Sequence, residues 1–179
     1  MKNYLGTHIP EIDSILKGLP AFLETLDSLK RYSFNQFYNL SNRNEYNINT
    51  EFVNCEFKNA IKEKKLMGIY IFYDDSGNAV YVGISRTVIH RIKQHMTSNH
   101  HTAATLAYLI ARTDYEKETG EVFPKQRKDL DKSFVPIQDE MKRRWSFSII
   151  PFNEEYEMYV NEVVLACHLK TKWNSFKTH

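Results

Sequence analysis

From Gly68 to Ile84, apolar and polar side chains alternate on both sides of Asp74-Asp75-Ser76-Gly77, and no other feature constrains the fold as strongly. Alternation with a period of two sends successive side chains to opposite faces of a strand, and short polar residues before a glycine favour chain reversal. The segment therefore predicts a β-hairpin with strands over 68–73 and 79–84. Burying Ile69, Ile71, Val80, Val82 and Ile84 together selects a register with a four-residue loop and Tyr70 opposite Tyr81, because a one-residue slip splits that set. Both phenols then emerge on the opposite face. Gly68 and Gly83 become cross-strand neighbours whose missing Cβ atoms leave room for another backbone or a substrate. Aromatic residues favour strands for packing reasons alone, so the tyrosine pair gains meaning only from the residues downstream of it.

After Gly83 comes Ser85, a candidate N-cap, and then Ile89, Ile92 and Met96 at helical spacing, which predicts a helix over 87–97. Arg91 and His95 lie four apart on it and share a face, so a guanidinium and an imidazole are positioned to meet one anion. A second helix is predicted over 102–112 with Thr102 as N-cap, and a third strand over 145–150, ended by Pro151. A last helix over 154–169 has Met158, Leu165, Ala166 and Leu169 as its inward stripe. Glu162 falls on that stripe. A carboxylate among core positions is costly unless a metal, an arginine or hydrogen-bond donors pair with it, which makes Glu162 a metal-ligand candidate.

Taken together, Gly68-Ile69-Tyr70, Tyr81-Val82-Gly83, Arg91, His95, Glu162 and the late Trp173-Asn174 resemble the GIY-YIG nucleases, in that order and spacing, over about residues 66–179. Val82 stands where isoleucine is usual, a conservative change. The resemblance implies an α/β (α+β) domain with a central three-stranded antiparallel sheet flanked by helices. It divides the chain into a helical N-terminal extension, 1–64, and a nuclease domain, 65–179, with an insertion at about 113–136.

The activity implied is metal-dependent endonucleolytic hydrolysis of phosphodiester bonds in DNA, with RNA a further candidate. The alternative is a catalytically inactive module of the same fold that binds nucleic acid or a protein partner. By resemblance Glu162 holds Mg²⁺ or Mn²⁺, and Arg91 contacts the non-bridging oxygens. Tyr70 leads as the group that takes the proton from water, with Tyr81 and His95 orienting it, and Asn174 supports the site from its edge. A phenol titrates near 10, so nearby cationic charge must lower that value for Tyr70 to act as a base near neutrality. Gly83, Ser85, Arg86, Lys93 and His101 are expected to contact or support the substrate.

A net charge of +2 gives no global field, so any nucleic-acid footprint must come from local clusters. Those are Arg86, Arg91 and Lys93, the run Lys125-Gln126-Arg127-Lys128, and Lys142-Arg143-Arg144, each of which, taken singly, reads first as solvated surface. His90, His95, His100 and His101 lack the spacing of a zinc site. Cys55 and Cys167 stand alone, as free thiols do in a reducing compartment, no charged-then-apolar pattern opens the sequence and no apolar run approaches the length that spans a bilayer; a cytoplasmic protein is expected. Near the N-terminus, 10–31 reads as amphipathic helix, with Pro20 separating two helices or kinking one, and 39–49 reads as a loop. Three roles stay open for this extension: covering the sheet edge, a homodimer contact, or touching DNA.

Overall fold

The computed structural model describes residues 12–38, 66–123 and 127–174, the side chains of 127–132 excepted. In chain order its elements are α1 (Ile12–Glu24), β1 (Tyr32–Ser33), α2 (Phe34–Phe37), β2 (Gly68–Tyr73), β3 (Ala79–Ser85), α3 (Val88–Thr97), α4 (Thr105–Thr119), α5 (Arg127–Arg144), β4 (Ser146–Pro151) and α6 (Glu155–His168). The expected loop at 39–49 lies outside the described residues, as does Cys55.

The hairpin forms where alternation places it, but two residues off in register: Tyr70 sits opposite Gly83, and Phe72 opposite Tyr81. The connection is longer than four residues. Asp74 Oδ1 accepts the N–H groups of Ser76 (3.0 Å) and Asn78 (2.9 Å), Gly77 supplies the left-handed φ of 81°, and the pairing shifts between Phe72 and Tyr73. A shift of two keeps parity, so Ile69, Ile71, Val82 and Ile84 still share a face. Val80, the bulged residue, turns instead to the face of Tyr70 and Phe72. Gly68 and Gly83 are not neighbours. A Cβ on Gly68 would strike the carbonyl of Ile150 on β4, and one on Gly83 would strike the phenol of Tyr70. The first glycine admits a backbone, the second a side chain.

The sheet has four antiparallel strands in the order β1-β4-β2-β3, not three. The extra strand is the two-residue β1, which pairs Tyr32 with Phe147 and is too short to leave a periodic signal. The short helix α2 and Tyr38 then seal one face: Phe34, Phe37 and Tyr38 are buried around Phe147 with ring centroids 4.9, 5.0 and 6.1 Å away, and the Tyr38 hydroxyl donates to the Ile89 carbonyl at 2.7 Å. Helices α3, α4 and α5 complete that face over Tyr70, Phe72 and Ile149. On the other face Met158, Leu165 and Ala166 of α6, with Phe22 and Leu23 of α1, cover Ile69, Ile71, Tyr73 and Val82. Both faces of the hairpin are thus buried, and the tyrosine face is not an open one.

Helix α1 runs through Pro20 without a break. Helix α4 begins at Thr105, with Ala104 rather than Thr102 at its N-cap, and continues to Gly120, whose φ of 71° ends it. Within the segment 113–136, the described residues 113–119 and 127–136 are therefore the adjoining ends of two helices, α4 and α5. Phe134, Gln138 and Met141 are the buried stripe of α5. At the opposite edge, the tail after α6 covers β3: Trp173 N–H donates to the Val80 carbonyl (3.1 Å), and Asn174 clamps both backbone groups of Val82 (2.8 and 2.7 Å). The exposed edge of a sheet is blunted in this way.

Candidate active site

The site is assembled at the edge of the sheet where β3, α3 and α6 meet. Tyr70 lies beneath Gly83 and is 1% exposed, its hydroxyl 2.8 Å from His95 Nε2. His95 is fully buried in a box of rings, with centroids 5.6 Å from Tyr70, 5.3 Å from Phe72 and 5.7 Å from Tyr81. Helical geometry explains the burial, because Val88, Ile92 and His95 form one inward stripe of α3. The expected anion shared by Arg91 and His95 is therefore corrected: the imidazole faces a phenol inside the protein. Tyr70 and Tyr81, diagonal across the hairpin, still lie close, at 6.1 Å between ring centroids.

Burial holds the His95 imidazolium far out of reach, its pKa lowered from 6.5 to about 3, with Arg91 as the second cause. The ring is neutral at any physiological pH. Its Nδ1 has no hydrogen-bond partner among the described residues. A lone pair left bare costs less than a buried N–H left bare, so the proton belongs on Nε2, which then donates to the Tyr70 oxygen. Tyr70 itself is raised well above 10, first by burial and then by the charge of Tyr81, with Arg91 working against both. That is opposite to what a base near neutrality needs. Tyr81, only half-buried, is also raised: burial dominates, Arg91 opposes it, and Glu162 adds to it.

Arg91 is half-buried and aimed by the loop before α4: Nη1 donates to the Ala103 carbonyl and Nη2 to Thr105 Oγ1, each at 3.0 Å. Glu162 lies half-buried on α6, within electrostatic reach of Tyr81, and burial raises its carboxyl above the usual range. Among the described residues no hydrogen-bond donor or cation pairs with it, and no group of three or more His, Cys, Asp or Glu side chains could hold a metal. One partly desolvated carboxylate fits a hard cation that keeps most of its water, as Mg²⁺ and Mn²⁺ do.

The remaining candidates divide. Asn174 is at the site's edge, bound to the β3 backbone rather than directed at a ligand. Ser85 Oγ accepts the Thr87 N–H at 3.0 Å, so it shapes the turn into α3, whose N-cap is Thr87. Arg86 is exposed and held by Glu155 at the start of α6, with Nη2 to Oε2 at 2.9 Å. Lys93 is half-buried on α3, and His101 is exposed with its ring 5.5 Å from Tyr108. Lys142 bonds Asp139 and Arg144 approaches Asp75 at 3.8 Å in the last turn of α5, where the helix dipole also favours cations. Lys125 and Gln126 lie outside the described residues.

Three supports escaped the sequence. Thr105 fixes Arg91, Phe72 walls His95, and Gln138 of α5 donates from Nε2 to the carbonyls of His95 (2.9 Å) and Ser98 (3.0 Å). The burial of Gln138 was legible in principle from its spacing with Phe134 and Met141, but its target was not.

No protein of curated function matches the chain. Among the described residues no helix is long and apolar enough to cross a membrane. The sequence profile of the GIY-YIG catalytic domain matches residues 66–150, from the strand that carries Tyr70 to the end of β4, so that Glu162 and Asn174 lie beyond it. The hairpin, α3 and the buried phenol all fall within the matched residues, and this chain carries a GIY-YIG nuclease-family domain.

Proposed function

We propose that the chain is a metal-dependent endonuclease that hydrolyses phosphodiester bonds in DNA at the β3 edge, in a cytoplasmic setting that suits its exposed free thiol, Cys167. The observation that carries this reading is Glu162, a half-buried carboxylate on α6 with no protein cation among the described residues, within electrostatic reach of Tyr81. A half-buried position that raises its own carboxyl is a poor structural choice and a good place to hold Mg²⁺ or Mn²⁺. A bound dication supplies charge stabilisation for the non-bridging and leaving oxygens. Arg91, its guanidinium already oriented by Ala103 and Thr105, offers its remaining N–H groups to the phosphate as charge builds.

The proton chemistry belongs to the coupled phenols rather than to Tyr70 alone. Tyr81 is the member with access to solvent and so meets the attacking water. Tyr70 is the inner member, held by His95 Nε2, and Arg91 acts on both phenols in the direction a base requires. His95, neutral throughout, positions and does not titrate.

The test is incubation of the protein with plasmid, duplex and single-stranded DNA and RNA in Mg²⁺ or Mn²⁺, beside Glu162→Gln and Arg91→Ala. Cleavage by wild type that is lost in both variants supports the proposal. Binding by all three with no cleavage on any substrate favours the inactive binding module.

A further inference from the structure

On the β3 edge beyond Tyr81, a cleft of about 510 Å³ opens between the hairpin connection and the end of α6. Its charges are Arg31, Lys170 and Lys172 against one carboxylate, Asp74, and that carboxylate is already occupied by N–H groups of the hairpin connection. Arg31 is fixed in place: its guanidinium lies 3.9 Å from the centroid of the Tyr73 ring and Nη1 donates to the Gly77 carbonyl at 3.1 Å. Gly77 gives it room, since a Cβ there would come within 3.3 Å of Nη1.

Lys170 supplies the second, independent observation. It follows the C-cap of α6 at φ 52°, the one non-glycine residue in the left-handed region among the described residues. Thr171 N–H bonds the Ala166 carbonyl and Lys170 N–H the Cys167 carbonyl, a Schellman ending in which glycine is strongly favoured at this position. A lysine held in that conformation, exposed and lining a cationic cleft, marks a site where charge is kept at a cost in backbone strain.

We infer that this cleft binds the phosphodiester backbone of the nucleic-acid strand cleaved at the proposed nuclease centre, one or two linkages away from the scissile phosphate. The inference rests on the nuclease reading for the identity of the strand. Geometry supplies the continuity: Ala79 and Val80 line the cleft and Tyr81 is next along β3, two residues or about 7 Å of strand from Ala79 at ~3.3 Å per residue. Lys172 sits over the Trp173 ring, 4.6 Å from its centroid, within the same tail that clamps Val82.

The experiment is fluorescence anisotropy of a short labelled DNA duplex, and of one of its strands alone, titrated with protein in chelator across a salt series, together with melting curves. Lys170→Gly and Lys170→Asn both relieve the left-handed strain and remove the charge. Each is expected to melt higher, by about 2–4 °C for Gly, yet to bind about three- to tenfold more weakly, with the salt slope reduced by about one. Lys117→Gln, an exposed charge on α4, is expected to leave both unchanged. Wild-type binding by both Lys170 variants, equal weakening by Lys117→Gln, or no DNA binding by wild type overturns the inference. The nuclease reading fails separately, in a protein whose DNA binding depends on Lys170 but which cleaves nothing in Mg²⁺ or Mn²⁺.

Discussion

The inner and outer halves of the site are built by different rules. Inside, Tyr70 and His95 are sealed under Gly83 and among Phe72 and Tyr81, neutral, and tied to each other and to Gln138. At the rim, Tyr81 and Glu162 remain half-buried, and Glu162 has no partner among the described residues. The inner half is packed as a core and fixes position, while the rim carries the charge that a phosphate and a cation would answer. Inner substitutions should therefore lower stability and activity together, and rim substitutions should lower activity while sparing the fold.

The largest expected effect is at the rim. Glu162→Gln and Arg91→Ala should each reduce cleavage by on the order of 10²- to 10³-fold, with melting temperatures near wild type, measured by initial rates and thermal scans. Equal losses of folding would erase the distinction between rim and interior. Next comes His95, where His95→Ala opens a cavity and strands the Tyr70 hydroxyl at a cost of about 2–4 kcal/mol. Because its folded pKa lies below its unfolded one, His95 contributes stability that is present above pH ~6.5 and lost as pH falls toward about 3, at a slope of up to ~1.4 kcal/mol per unit. Denaturant titrations across that window should show the slope in wild type and a flatter profile in His95→Asn.

Gly83→Ala sharpens the comparison from between the halves, since its methyl group must displace the Tyr70 phenol. A stability loss of about 1–3 kcal/mol with a fall in kcat is expected, read by chemical denaturation and single-turnover cleavage. The smallest effect concerns Glu162 without cation. Its folded pKa is raised, so its contribution is full at low pH and is lost as pH rises through the raised value; Glu162→Gln should then melt slightly above wild type at neutral pH in chelator.

Much of this architecture was legible in the chain. Alternation identified the hairpin and its apolar set apart from Val80, and helical spacing identified α3 and α6, with Glu162 half-buried rather than among the buried residues of α6. The register was not, because a bulge at Phe72/Tyr73 changes the pairing without changing the pattern. Helix α5 was hidden by Pro136 and a charge-rich composition, although tertiary packing of Phe134, Gln138 and Met141 holds it. The environment of His95 was illegible for a different reason: helical spacing alone does not tell a polar side chain facing an anion from one facing a buried phenol. The Arg91 supports, Ala103 and Thr105, lie at the entry to α4 and depend on contacts no local pattern encodes.

The central claim is that Glu162 holds one well-hydrated divalent ion at the rim. Water-proton relaxation in a Mn²⁺ titration of wild type and Glu162→Gln tests it directly. The account predicts one enhanced, hydrated Mn²⁺ in wild type and its disappearance in the variant, with both proteins folded. Equal enhancement in the two proteins, or none in wild type with a DNA substrate bound, would contradict it.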